Sequence, residues 1–342
     1  MTNPKVTVLM SVYNGEKYLH EAIDSILNQT FKDFEFLIIN DASTDRTAEI
    51  LQSYQDPRIK IVNNEKNMGL TKSLNKGLKL AKGEYIARMD ADDISMPNRL
   101  DTQYAYMKSN PDLAICASSY EQIDKNRNTI RIIKRYLGCE QLYYFLTFAN
   151  WLAHSTVFLR KTMILKLNGY NDQLMQAQDY DLWYRVSRIG KVIQIGEILL
   201  RLRTHQNNMS SKYKNSQKYI ANLVALRNIK QICNDRIDVK MIEVLCEWDF
   251  DDVDIDTLID NLIMLNNCII DSAPVYINKK RLIKICWGRV YNCLLSELKQ
   301  KKYFSLFRAL WNNLLNEDFM INAVLESPKF VLVIKKWMNA KS

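Results

Sequence analysis

The order of apolar segments in the N-terminal quarter of this chain limits its fold more than any other feature. Val6–Val12 is an apolar run of β type, and Phe34–Ile39, Ile59–Val62 and Tyr85–Met89 are three more. Segments of helical spacing lie between them. Leu19, Ile23, Ile26 and Leu27 share one face, Ser43-Thr44-Asp45 leads into a helix over Thr47–Tyr54, and Leu70–Ala81 is apolar at 70, 74, 78 and 81. Strands separated by helices of this length pair in parallel through crossovers, with helices covering both faces of the sheet. Ligands of such α/β sheets bind beyond the carboxyl ends of the strands, at the point where strand order switches. The polar residues that directly follow the strands are therefore the functional candidates.

Glycine marks where this pattern stops. Eight of the nine glycines lie in the first 196 residues and only Gly288 lies beyond, so a turn-rich α/β part precedes a helical part. We place the boundary at 212, giving residues 1–212 and 213–342. A composition of 47% hydrophobic and 25% charged residues is that of a soluble globular protein, and excludes disorder and collagen-like repeats. The seven cysteines form no C-x-x-C pair and are odd in number, which favours reduced thiols in a cytosolic protein over a disulfide framework or a zinc site. Val6–Val12 is too short for a secretory signal core. The longest uncharged run, Gln141–Leu159, is interrupted by Thr147, Asn150, His154, Ser155 and Thr156, so it reads as buried helix, turn and strand rather than a membrane span.

Charge is distributed unevenly. The formal net charge is +9, and Val275–Ser342 carries 13 basic and 4 acidic residues, so the preceding part holds 34 of each sign and is neutral. Nucleic acid is not an expected partner, because its electrostatic footprint would extend over the folded domain.

Two strands end in acid. The second runs into Asn40-Asp41, the fourth into Met89-Asp90-Ala91-Asp92-Asp93. A lone aspartate after a strand commonly caps a helix or makes a turn, which suits Asp45. Three carboxylates in four positions repel one another unless a cation or solvent relieves them. In an extended segment Asp90 and Asp92 would point to one side with small Ala91 between them. Few carboxylates, with water and phosphate completing the shell, suit Mg²⁺ or Mn²⁺.

The motifs taken together resemble a known family. Val8-Leu-Met-Ser-Val-Tyr-Asn14-Gly, Ser25-Ile-Leu-Asn-Gln-Thr-Phe31, Asn40-Asp-Ala-Ser-Thr-Asp45, Asn67-x-Gly69-Leu, Gly83-Glu-Tyr-Ile86 and Asp90-Ala-Asp-Asp93 follow in order. Gln178-Asp179-Tyr-Asp-Leu-Trp183-Tyr-Arg185 and Arg203-x-His205-x-x-Asn208-x-Ser210 continue the series. This pattern, covering residues 1 to 212, resembles the family 2 glycosyltransferases. The resemblance implies a GT-A fold, Rossmann-like with a mostly parallel sheet, and inverting transfer from a nucleotide-diphospho-sugar.

The resemblance also implies roles. Ser11 and Tyr13 would border the nucleoside, with Tyr13 flanking the base, and Asp41 would accept the uracil imide N–H. Lys72 would lie in the nucleotide site. Asp90 would face the ribose or metal, Ala91 would lie in the nucleotide-sugar site, and Asp92 would bind the metal that bridges the diphosphate of a UDP-sugar. Asp179 occupies the family's base position, where it would take the proton of the acceptor hydroxyl. The bland alternative is a first-turn acid of a helix that packs Leu182, Trp183 and Val186 inward. The family commonly has Glu-Asp where this chain has Gln178-Asp179, and Asp181 is the acid that would take the missing part. His205 would bind the metal or a phosphate. His154 reads either as a polar group near the acceptor or as satisfied packing, and His20 as a surface residue.

Beyond Tyr213 helices are expected, with an acidic junction over Glu247–Asp260. From about 275, Lys279-Lys-Arg281, Lys284 and Arg289 are interleaved with aromatics such as Trp287, Tyr303 and Phe304. Basic residues with aromatics at helical spacing fit either interfacial helices on an anionic membrane or a packed face, a homo-oligomer interface included. The membrane reading suits a glycan or polyprenol-linked glycan acceptor, and places a cytoplasmic enzyme peripherally on the inner face of the membrane. Two competing readings are a sugar-nucleotide pyrophosphorylase, whose Gly-rich phosphate loop Tyr13-Asn14-Gly15-Glu16-Lys17 matches poorly, and a non-catalytic glycan- or membrane-binding module.

Overall fold

A computed structural model describes residues 3–205, 208, 213–234, 236–238, 240–242, 255–286 and 288. The chain divides into two compact units, Met1–Gln231 with Ala273–Ile277, and Ile232–Ser272 with Asn278–Ser342. Residues 247–254 of the acidic junction, and 287 and 289–342 of the basic aromatic segment, lie outside the described residues.

The expected alternation is present. Strands β1 (Val6–Val12), β2 (Phe34–Asn40), β3 (Ile59–Asn63) and β4 (Tyr85–Met89) are joined through helices α1 (Leu19–Leu27), α2 (Thr47–Ser53) and α3 (Leu70–Leu80). Their order is β3-β2-β1-β4, all parallel, with Val6 opposite both Phe34 and Tyr85. Strand order reverses between β1 and β4, so the switch point lies beyond Val12, Asn40 and Met89. Val6, Val8, Met10, Phe36, Ile38, Ala87 and Met89 form the centre of the core, against Leu19, Ala22, Ile23 and Ile26 of α1. Each buried Leu or Ile contributes about 1.5–3 kcal/mol relative to exposure. A close approach explains Gly83: a Cβ there would lie 2.4 Å from the Thr7 backbone nitrogen.

The rest of the sheet is mixed. After the two-residue β5 (Ile94–Ser95) and α4 (Arg99–Ser109) come β6 (Leu113–Ile123), β7 (Thr129–Ile133), β8 (Val157–Arg160) and β9 (Lys191–Arg203). β8 runs antiparallel to both β4 and β6, whereas β6 and β9 are parallel over a long register from Leu113 opposite Lys191 to Ile123 opposite Arg203. β5 pairs antiparallel with β9, and β7 folds back on β6 as a hairpin. Helices α5 (Cys139–Phe145), α6 (Lys161–Lys166) and α7 (Gln178–Ser187) cover this half, and α8 (Lys214–Cys233) and α9 (Ile255–Asp271) follow. The first unit continues beyond residue 212 because α8 is fastened to α7: the Tyr184 hydroxyl donates to the Asn228 carbonyl at 3.3 Å, and Arg227 pairs with Asp181 at 2.6 Å. No helix among the described residues is long and apolar enough to cross a membrane.

Candidate active site

The loops after β1 and β2 form one side of the crevice. Asn14 takes a positive φ of 52°, its backbone N–H donates to Ser43 Oγ at 3.0 Å, and its side-chain oxygen accepts from Thr44 N–H at 2.8 Å. Gly15 N–H donates to Thr47 Oγ1 at 2.9 Å, Glu16 N–H to Asp45 at 3.0 Å and Arg46 N–H to Glu16 at 3.0 Å. A Cβ at Gly15 would stand 3.6 Å from the Ala91 methyl, so this loop passes directly beside the acidic turn.

Asp41 is 2% exposed at the end of β2. Its Oδ1 accepts from Asn64 Nδ2 at 2.7 Å and Met68 N–H at 2.9 Å, and its Oδ2 from Gly69 N–H at 2.8 Å. Gly69 supports this with a φ of 84°, a value side chains rarely adopt. Asn64 is itself oriented, giving its other amide hydrogen to Ser73 Oγ at 2.9 Å and accepting from Lys76 Nζ at 2.7 Å. An ionised carboxylate has about four acceptor positions, so among the described residues three are used and one on Oδ2 is left. Ser11 is half-buried on β1, while Tyr13 and Lys72 are exposed and make no polar contact among the described residues.

Asp90, Ala91, Asp92 and Asp93 form a turn after β4, not the extended segment expected. Asp90, Asp92 and Asp93 nevertheless converge, with one ligand oxygen from each lying within 4.8 Å of the others. They are held differently. Asp93 is buried, its Oδ1 accepting from Arg203 N–H at 2.8 Å and its Oδ2 hydrogen-bonded to the Ser155 hydroxyl. Burial, then the charges of Asp92 and Asp90, push its pKa well above the carboxylate range. Asp90 pairs with Arg88 through Oδ2, which also accepts from Ser155 at 2.9 Å. Asp92 Oδ2 lies 3.0 Å from His205 Nε2 and accepts from Asn208 Nδ2 at 3.1 Å. Oδ1 of both Asp90 and Asp92 is unclaimed among the described residues. Mutual repulsion that lifts a pKa, together with free oxygen donors, fits a hard divalent cation.

Arg203 secures this turn. It is fully buried, donating to the Asp92 carbonyl at 2.9 Å and to Glu21 at 2.8 Å, and its guanidinium lies 4.4 Å from the Tyr18 ring centre. The Tyr18 ring in turn lies 5.1 Å from His205. In the sequence Arg203 stands within a motif that by itself assigns it no role.

Asp179 is the second residue of α7, entered through Ala177 at a positive φ of 54°. Its Oδ1 accepts from Tyr180 N–H at 2.8 Å and its Oδ2 from Asn150 Nδ2 at 2.8 Å. Burial raises its pKa, opposed by these two hydrogen bonds and by the Arg88 charge. In the sequence Asn150 shows only as an interruption of an uncharged run. Asp181, two residues on, is buried and paired with Arg185 at 2.7 Å and Arg227 at 2.6 Å. Leu182, Trp183 and Val186 pack inward as expected. His154 has Nε2 2.8 Å from the Tyr170 hydroxyl and its ring edge-on to Trp183. Burial and the Arg88 charge hold it neutral, well below the ordinary histidine range. His20 is exposed and bonds Tyr54.

Residues 7–168 match the model of Glycosyl transferase family 2. An uncharacterised glycosyltransferase of Methanocaldococcus jannaschii is 39% identical over 245 residues, covering 69% of this chain and 84% of that one. The O-antigen biosynthesis glycosyltransferase WbnJ of Escherichia coli is 37% identical over 209 residues, covering 59% and 81%. Among solved structures, S. aureus TarS 1–349 in complex with UDP-GlcNAc superposes with a TM-score of 0.57 at 18% identity, over 88% of this chain and 93% of that one. That likeness is one of fold, and the fold is GT-A.

Proposed function

Because the chain belongs to glycosyl transferase family 2, we propose that this glycosyltransferase moves a sugar, with inversion, from a UDP-sugar to a hydroxyl of a glycan or polyprenol-linked glycan in surface-polysaccharide synthesis. The observation that carries the reading is the convergence of Asp90, Asp92 and Asp93 at the strand-switch point, and the remaining acceptor position of Asp41 at the end of β2 accompanies it. That position suits the imide N–H of uracil, with Ser11, Tyr13, Lys72 and Ala91 bordering the nucleotide-sugar and Asp90 the ribose. The UDP-sugar complex of a protein with the same fold and the O-antigen role in the name of a relative support the donor and the pathway class.

Asp90 and Asp92, with His205, would hold Mg²⁺ or Mn²⁺, and Asp93 closes the turn beneath them. A cation bound there supplies charge neutralisation for the departing diphosphate. Asp179 takes the proton of the acceptor hydroxyl as its oxygen bonds to the anomeric carbon and UDP leaves with the electrons of the broken C–O bond. A raised pKa makes Asp179 a stronger base, which favours that transfer. The catalytic domain is read as 1–212, followed by a helical region whose basic end keeps the enzyme at the inner face of the membrane.

The test is a panel of UDP-, GDP-, dTDP- and CMP-sugars, each with EDTA and with Mn²⁺, scored for nucleotide release. Release of UDP from a UDP-sugar is expected only with metal, and is lost in Asp92→Ala and Asp179→Asn. Turnover of another donor, or full activity in EDTA, refutes the donor or the metal assignment. Full activity of Asp179→Asn refutes the base.

A further inference from the structure

We infer that the β6–β7 hairpin is a membrane-contact surface that lays the catalytic face of this chain against an anionic lipid bilayer. The inference uses neither the donor nor the C-terminal segment, and reaches beyond the reading above. Strand β7 pairs only with β6 among the described residues, so its outer edge is open. Edge strands of soluble domains are normally short, charged and free of large apolar side chains. This one shows Ile130 at 55% and Ile132 at 57% exposure, followed by Tyr136 at 70%. Ile130 and Ile132 are two apart on a strand, so they stand on one face.

Charge identifies the occupant. Lys125, Arg131, Lys134 and Arg135 are exposed and make no ion pair among the described residues; Arg127 pairs with Glu21 at 3.1 Å, and of the hairpin's own acids Glu121, opposite Ile132, is paired with Arg201 at 2.8 Å while Asp124 accepts from Asn128 N–H within the turn. Apolar side chains and a tyrosine set among cations are the composition that enters the headgroup region of anionic membranes. A second copy of the chain fits worse, because a two-fold edge pairing would bring the cations of one hairpin against the same cations of the other.

Both ends of the hairpin border the active site. At its turn, the Lys125 carbonyl accepts from Arg203 Nη1 at 3.3 Å, the arginine that secures Asp92 and Asp93. Past its far end, the Arg135 guanidinium lies 5.2 Å from the Trp151 ring, next to Asn150, which holds Asp179. A bilayer against β7 therefore lies alongside the path from the acidic turn to Asp179, where a membrane-borne hydroxyl acceptor would be delivered.

The experiment is co-sedimentation of the full chain, without substrate, with vesicles of phosphatidylcholine alone and of phosphatidylcholine mixed with phosphatidylglycerol, at low and high salt. Binding to the anionic vesicles only, weakened by salt, is expected. Lys125→Gln/Lys134→Gln should weaken it about 25-fold, from two cations at about 1 kcal/mol each. Ile130→Asn/Ile132→Asn should weaken it at least about tenfold through lost apolar burial. Thermal unfolding and metal-dependent UDP-sugar hydrolysis check both variants for intact folding, and the charge variant decides the matter should the isoleucine variant unfold. Wild-type binding retained in the folded variants overturns the proposal, as does absence of vesicle binding by the wild type. A dimer that the isoleucine variant dissociates, with vesicle binding unchanged, overturns it in favour of a second copy.

Discussion

Replacing Asp93 by asparagine should make the metal-free protein more stable, and increasingly so as pH rises. The isostere preserves the local bonds. Its amide oxygen can accept from Arg203 N–H, which stands 2.8 Å from the native carboxylate, and its NH₂ can donate to Ser155, whose hydroxyl then serves Asp90. Only the ionisable group is removed. Oxygens of Asp90, Asp92 and Asp93 lie within 4.8 Å of one another. At that separation two unit charges repel by roughly 3.5 kcal/mol at an effective dielectric of about 20. Asp93 escapes by holding its proton, which is why its pKa stands well above the carboxylate range. Between the unfolded pKa of about 3.9 and that raised value the native state binds more protons than the unfolded one, so wild-type stability falls as pH rises. Above the raised pKa the penalty is constant, and below about pH 4 it is absent. The variant minus wild-type difference therefore grows by up to about 1.4 kcal/mol per pH unit. Between pH 5 and 7 that amounts to up to about 2.7 kcal/mol, or roughly 5–10 °C in melting temperature for a unit of this size. Thermal unfolding of both proteins in EDTA across this range measures it. Addition of Mn²⁺ should then stabilise the wild type more than the variant. A difference that is flat with pH, or a variant less stable throughout, refutes the argument that the three carboxylates repel in the metal-free turn.

Three further outcomes are expected. Asn150→Ala removes a donor that favours the charged form of Asp179, so the acid limb of the kcat profile should move to higher pH and kcat should fall about tenfold or more; an unmoved limb argues against Asp179 as the base. Asp181→Ala strips the buried counter-charge from Arg185 and Arg227, whose guanidiniums stay partly in solvent, and should cost about 1–3 kcal/mol in denaturant unfolding. Gly83→Ala forces a methyl to 2.4 Å from the Thr7 backbone nitrogen and should cost about 1–3 kcal/mol or more, read as a lowered melting temperature.

Local pattern makes the parallel half of the sheet legible. Each strand from Val6 to Met89 is a short apolar run with its helix beside it, and the observed bounds differ from the expected ones by a residue at most. The other half is not legible in that way. β6 and β9 are long strands whose burial depends on each other across a register separated by some eighty residues, and Ala117-Ser118-Ser119 carries no apolar alternation. Among site residues, Asp41, Asp90, Asp92 and Asp179 announce themselves by position after a strand or at a helix start. Their supports do not. Arg203 reaches Glu21 across 182 positions and Asn150 reaches Asp179 across 29, and neither spacing leaves a trace in a local window. The turn at Asp90–Asp93 shows the same limit, since alternation along a strand stops applying once the strand ends.

The stitching between the loops after β1 and β2 has a thermodynamic consequence. Asn14, Gly15 and Glu16 are tied to Ser43, Thr44, Asp45, Arg46 and Thr47 by backbone and side-chain hydrogen bonds before any ligand arrives. The conformational entropy of ordering these segments is thus lost when the chain folds. A ligand settling there meets a preorganised wall, so little of its binding energy is consumed in arranging protein. Affinity on this side of the crevice should respond weakly to loop-rigidifying substitutions and strongly to deletion of any one of the cross-loop acceptors.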